Sequence, residues 1–143
     1  MDFEKLLLML SEGGVKFIVV GGVACALNGF VRATDDLDIV IETSDKNINI
    51  MLEVLKRWGK GYACELALSD FPVSPGAVRV IEDFPLDIFT ILNEKTYNDL
   101  LPEAILSDQG INYLNKSALI DIKKKSLREK DKIDVLALQK LGE

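Results

Sequence analysis

The 143-residue chain contains no histidine. That absence excludes Ser-His and Cys-His nucleophilic mechanisms, HExxH-type zinc sites and imidazole acid–base chemistry together. It has two cysteines, Cys25 and Cys64, far apart and without CxxC spacing. They read as small apolar residues rather than as a disulfide or a metal pair. No apolar run approaches the ~20 residues of a membrane span. The first residues, MDFEKLLLMLSEGG, carry acids near their start and helical periodicity, so they do not read as a signal peptide and the expected location is cytoplasmic. The chain also lacks an excess of positive charge. Its net charge of −6 argues against coating nucleic acid by bulk electrostatics. Hydrophobic residues at 48% and charged ones at 28% leave a globular chain of one domain, residues 1–143.

The charge that is present is unevenly spread. In DIKKKSLREKDK, residues 121–132, six Lys/Arg face three acids. The usual explanation of such a run is a solvated helical face; the functional one is a basic segment reaching an anion across a cleft.

Along the chain, Phe3, Leu6, Leu7 and Leu10 recur at helical spacing and predict an amphipathic helix over 2–11, stopped by Gly13-Gly14. Residues 16–20 read as a buried strand, Gly21-Gly22 as a turn, 23–27 as a short helix closed by Asn28-Gly29, and 36–41 as a second strand. Ser44 is placed to cap a helix over 45–57. A strand is expected over 62–68, a Pro-containing loop over 69–76, and a hairpin from 78–81 and 86–92. A helix near 94–101 and extended segments at 104–106 and 111–114 follow. Two closing helices, 116–127 and 129–141, end the chain. Early βα units followed by hairpins predict an α/β or α+β fold, a small mixed β-sheet flanked by helices.

The chemistry concentrates in FIVVGGVACALNGFVRATDDLDIVI, residues 17–41. A strand projects residues i and i+2 to one face, so Asp36 and Asp38 stand together while Leu37 and Ile39 face the other way. A lone DxD on an edge strand is often just solvated, but the flanking LDIVI is too apolar for that. Two adjacent carboxylates on such a strand repel each other and are costly to desolvate, and a divalent metal is the simplest offset. Asp87, in LDIFTI, is another acid inside an apolar strand. Three convergent carboxylates are what a one- or two-Mg²⁺ site for phosphoryl transfer needs. Gly21-Gly22 allows close backbone approach by a phosphate at a helix start. Arg32 and Thr34 alternate with the acids and suit phosphate or metal-water contacts. Lys123, Arg128 and Lys130 are candidate phosphate contacts from the basic tail.

Gly21-Gly22, thirteen intervening residues and then Asp36-Leu37-Asp38-Ile39, with Asp87 as a third acid on a later strand, resembles the signature of the nucleotidyltransferase superfamily related to DNA polymerase β. The tail LIDIKKKSLREKDKIDVLALQKL is similar to the closing helices of small prokaryotic members, the minimal nucleotidyltransferases and the abortive-infection toxin group. Lys123, Arg128, Lys130, Asp131 and Asp134 hold the places of a Lys, Arg-x-Lys-Asp and further Asp common there. The resemblance implies a nucleotidyltransferase-like domain that transfers a nucleoside monophosphate from an NTP to an acceptor hydroxyl. Asp36, Asp38 and Asp87 would bind Mg²⁺ (or Mn²⁺) and act catalytically; Gly21, Gly22, Arg32, Thr34, Lys123, Arg128 and Lys130 would contact the nucleotide. The acceptor stays open between a protein, an RNA end and a small molecule such as an aminoglycoside. Gly22 stands where many catalytic members carry Ser, and little chain lies outside the core. Both features imply an alternative: a non-catalytic module, an antitoxin or partner subunit of a toxin–antitoxin pair, that binds nucleotide or protein.

Overall fold

The computed structural model describes residues 2–125 and 129–141. It is a mixed α+β arrangement with a six-stranded sheet in the order β3-β4-β2-β1-β6-β5. The chain enters through α1 (Phe3–Glu12), whose N-cap Asp2 accepts a hydrogen bond from the Lys5 N–H and whose Leu6, Leu7 and Leu10 are buried. Strand β1 (Phe17–Val20) is buried at every position, as expected of a central strand covered on both faces. It runs directly into α2 (Gly21–Leu27), so the two glycines are the first turn of the helix rather than a turn before it.

Strand β2 (Leu37–Ile41) lies antiparallel to β1. Helix α3 (Asp45–Leu55) is capped by Ser44, whose hydroxyl accepts from the Asn47 N–H. Buried Asn47 accepts from the Lys16 N–H and donates to the Lys16 and Glu42 carbonyls, pinning α3 to the ends of β1 and β2. Strands β3 (Ala77–Ile81) and β4 (Pro85–Phe89) form an antiparallel hairpin, and β4 pairs parallel with β2. After α4 (Tyr97–Leu100), β5 (Ala104–Leu106) and β6 (Asn112–Leu114) complete the other edge, β6 parallel to β1. Helices α5 (Lys116–Lys123) and α6 (Glu129–Lys140) close the chain and pack on each other. Among the described residues, no helix is long and apolar enough to cross a membrane.

Three expectations fail locally. Residues 62–68 are not a strand but two 3₁₀ turns, Tyr62–Glu65 and Leu68–Asp70. Tyr62 points to solvent and only Ala63 of the first turn is buried, so the segment has no face to offer a sheet. Its backbone is served instead by Glu82, whose carboxylate accepts from the Lys60 and Tyr62 N–H groups. Strand β4 stops at Phe89, because the Thr90 hydroxyl donates to the Pro72 carbonyl and accepts from the Ser74 N–H in the preceding loop. The helix expected over 94–101 shrinks to α4. Asn93 and Glu94 take positive φ, Thr96 and Asp99 form a capping box, and Pro102 opens a 3₁₀ turn at Leu101–Glu103. Helix α5 ends at Lys123, and residues 126–127 of the helix expected to 127 lie outside the described residues.

Candidate functional site

The sheet register builds the acidic cluster. β2 and β4 run parallel with Asp38 directly beside Asp87, and Asp36 sits two residues back on the same face. One carboxylate oxygen from each of Asp36, Asp38 and Asp87 lies within 4.8 Å of the others. On the other side of Asp38, Val20 is its β1 partner and Gly21 follows with φ of +68°. A Cβ at Gly21 would overlap the Asp38 Oδ2, so glycine is required here both for the backbone angle and for the room the carboxylate takes.

Crowding sets the protonation of these groups. Burial, and then the neighbouring Asp36 and Asp87 carboxylates, push the Asp38 carboxyl up to about 7, with Lys130 opposing the rise. Asp87 moves the other way: hydrogen bonds from the Arg79 guanidinium hold it below the usual carboxylate range, against the cost of its burial. Two acids side by side with protonation pushed apart are a recurring feature of sites that bind metal or move protons.

Arg79 was not singled out by the sequence. It stands opposite Asp87 in the β3–β4 hairpin and grips it with two parallel bonds, Nε to Oδ1 at 2.7 Å and Nη2 to Oδ2 at 2.8 Å. Its Nη2 is also 3.6 Å from Asp36 Oδ2. The resting counter-charge of the cluster is therefore a guanidinium supplied by the chain.

The residues expected to bind nucleotide divide into two groups. Arg32, Thr34, Asp36 and Asp38 are half-buried along one extended run, with Val31, Ala33 and Asp35 exposed between them, so the anticipated alternation is present. Gly22 lies under that run: a Cβ there would come within 3.0 Å of Thr34 Oγ1 and 3.1 Å of Arg32 Nη2. Arg32 itself turns toward α6. It pairs with Asp134 through Nε to Oδ1 at 2.7 Å and Nη2 to Oδ2 at 2.9 Å. Lys123 Nζ joins the same carboxylate at 2.9 Å and reaches Asp131 Oδ1 at 3.2 Å. Lys123, Asp131 and Asp134 are all buried. Burial alone would raise the Asp134 carboxyl, but hydrogen bonds from Arg32 and Lys123 outweigh it and hold the group below its ordinary value. Burial likewise disfavours charge on Lys123, and Asp134 reverses this so that the ammonium is retained more firmly than usual. The nearby Cys25 thiol is pushed up by burial.

Lys130 stays exposed on α6, where its charge acts on Asp38. Arg128 lies outside the described residues. A cavity of about 210 Å³ opens between the clusters, lined by Val20, Gly21, Asp38, Phe89, Leu119 and Lys123 among others. Of the three clustered acids Asp38 reaches into this hollow, which residues of the closing helices, Leu119, Ile122, Lys123 and Asp131, also line.

Comparison with family models and with curated proteins gives no match in either. The chemistry of the donor set carries the reading instead. Three carboxylates offering hard oxygens around one point fit a hard divalent cation such as Mg²⁺ or Mn²⁺ and suit soft metals poorly. Burial, and then the repulsion of Asp36 and Asp87, raise the Asp38 carboxyl, and such a cation would offset both.

Proposed function

We propose that the protein is a divalent-metal-dependent nucleotidyltransferase that moves a nucleoside monophosphate from an NTP to an acceptor hydroxyl and acts in the cytoplasm. The observation that carries this reading is the convergence of Asp36, Asp38 and Asp87 within 4.8 Å beside a glycine-opened helix start and a cavity. These three residues would hold the ion, which when bound supplies charge neutralisation for phosphoryl transfer. Gly21, with no side chain, leaves the wall beside Asp38 open to a close-lying ligand. Asp87, kept below the usual carboxylate range by Arg79, suits a role in orienting ligands more than in taking a proton at neutral pH. Lys130, exposed near Asp38, suits contact with an anionic substrate. The acceptor class stays as open as it was from the sequence: protein, RNA end or small molecule.

The test is calorimetric titration with Mg²⁺ and each NTP, wild type against the Asp36→Asn/Asp38→Asn double variant. Metal-dependent NTP binding confined to the wild type supports the proposal. A folded wild type that binds no NTP in the presence of metal refutes it.

One observation favours a second reading. Arg32 and Lys123 spend their donors on Asp134 and Asp131 rather than facing the cavity open-handed, and position 22 offers no hydroxyl. A non-catalytic module that binds nucleotide, or a protein partner such as the other half of a toxin–antitoxin pair, is consistent with that commitment. Metal-dependent NTP binding with no pyrophosphate released across protein, RNA and small-molecule acceptors would favour it.

A further inference from the structure

The acidic cluster already contains a cation. Arg79 takes both oxygens of Asp87 and extends to Asp36, so a metal held by one oxygen each from Asp36, Asp38 and Asp87 would share two of its three ligands with the guanidinium. Two positive charges served by the same carboxylates repel each other at close range. The guanidinium is also the member best able to leave. It stands on β3, an edge strand of the sheet, and its side chain is 51% exposed. Asp87, by contrast, is buried on β4 and held by pairing on both sides.

The fate of the other basic residues makes this exposure informative. Arg32 and Lys123 are both bound to the buried Asp134, and releasing either would take a charged partner from a carboxylate that water cannot serve. Arg79 leaves nothing stranded when a divalent ion takes its place, because the ion satisfies the same oxygens. Its fork of N–H groups matches a phosphate as well as it matches Asp87.

Resting on the metal reading above, we propose that Arg79 is an exchangeable latch: in the metal-free protein it closes the Asp36–Asp38–Asp87 cluster as an internal counter-ion, and on metal entry it lets go and turns its guanidinium to the anionic group of the substrate. Metal and phosphate binding are then positively coupled through one side chain. The residue acts as a phosphate-binding residue only in the loaded state, which explains why it looks structural in the unloaded one.

The test compares wild type with Arg79→Gln and Arg79→Lys, using Mn²⁺ alone and then pyrophosphate at saturating Mn²⁺. Removing the competing charge should tighten Mn²⁺ binding by about tenfold, and removing the fork should weaken pyrophosphate binding by about tenfold. Arg79→Lys, which keeps the charge but not the fork, should fall between the two in both measurements and serves if the glutamine variant does not fold. In wild type, the Arg79 Nε–H resonance should be protected without metal and lose that protection on adding Mg²⁺. Equal or weaker Mn²⁺ binding by Arg79→Gln, or an Nε–H signal indifferent to Mg²⁺, would overturn the latch while leaving the metal site intact. Unchanged pyrophosphate affinity would overturn the clamp. Absence of Mn²⁺ binding in wild type and variants alike would remove the metal site and this inference together.

Discussion

Asp38→Asn tests the electrostatics of the cluster without invoking any catalytic activity. Asp38 is half-buried between two other carboxylates, and its carboxyl is raised from 3.8 to about 7. Between those two pH values the folded protein binds more protons at Asp38 than the unfolded chain does, so its stability falls as pH rises, and the penalty is complete above about pH 7. At ~1.4 kcal/mol for each pH unit the gap corresponds to ~4 kcal/mol, and sharing of the repulsion among three acids and partial exposure bring the expected effect nearer ~2 kcal/mol. Asparagine has the same shape, carries no charge, and its amide can donate to Asp36 or Asp87. Metal-free Asp38→Asn should therefore melt higher than wild type at about pH 8.5, by roughly 5–10 °C for a domain of this size, and the gain should fall to less than half of that at about pH 5. Excess Mg²⁺ should reverse the order, raising the wild-type melting temperature and leaving the variant where it was. The assay is thermal unfolding followed by circular dichroism at the two pH values, with chelator and then with metal. A variant that melts below wild type by the same amount at both pH values would mean the three carboxylates do not repel one another in the folded state.

Gly21→Ala combines a positive φ with an overlap on Asp38 Oδ2, so a loss of ~2–4 kcal/mol in denaturant unfolding is expected, together with loss of metal binding because Asp38 is displaced. Asp134→Ala leaves Lys123 buried without that carboxylate and deprives Arg32 of its bidentate partner; unfolding should cost ~3–5 kcal/mol less, with amide exchange in α6 accelerating before the sheet opens. Because Asp87 and Asp134 are both held below the ordinary carboxylate range, the stability they contribute is present above about pH 4 and lost as pH falls through their folded values, so Asp134→Ala should flatten the acid limb of the wild-type stability profile. Thiol titration of the native protein should find the exposed Cys64 reacting promptly and buried Cys25 only on unfolding.

Much of the fold was legible because its elements carry strong local signals. Apolar runs marked β1, β2 and β4, helical spacing marked α1, Ser44 marked the start of α3, and the turn around Asp83 marked the β3–β4 hairpin. The failures share a cause. In residues 62–68 an apolar composition predicts a strand, but composition does not say whether a partner strand is within reach. The serving of that backbone by Glu82, some twenty residues on, is a tertiary fact.

The acids of the site were legible, whereas Arg79 and the partners of Arg32 and Lys123 were not, for a physical reason. A carboxylate inside an apolar strand is anomalous on its own, whereas a basic residue on an exposed edge or in a charged tail is ordinary until its partner is known. Arg79 could have been found. A hairpin centred on Asp83 pairs Ile81 with Pro85 and, carried outward, Arg79 with Asp87, so the register alone brings a guanidinium to the third acid. The tail carried a weaker clue: Asp131, Asp134 and Leu138 fall on one face of α6 at spacings of three and four, and that face proves to be the buried one. A run of mixed charge whose acids align with an apolar residue is a helix that turns its acids inward, and inward acids need cations. Arg32 and Lys123 are those cations. The molecule thus uses them to dock its closing helix over the cavity, and leaves the half-exposed fork on β3 beside the carboxylates that would hold the metal.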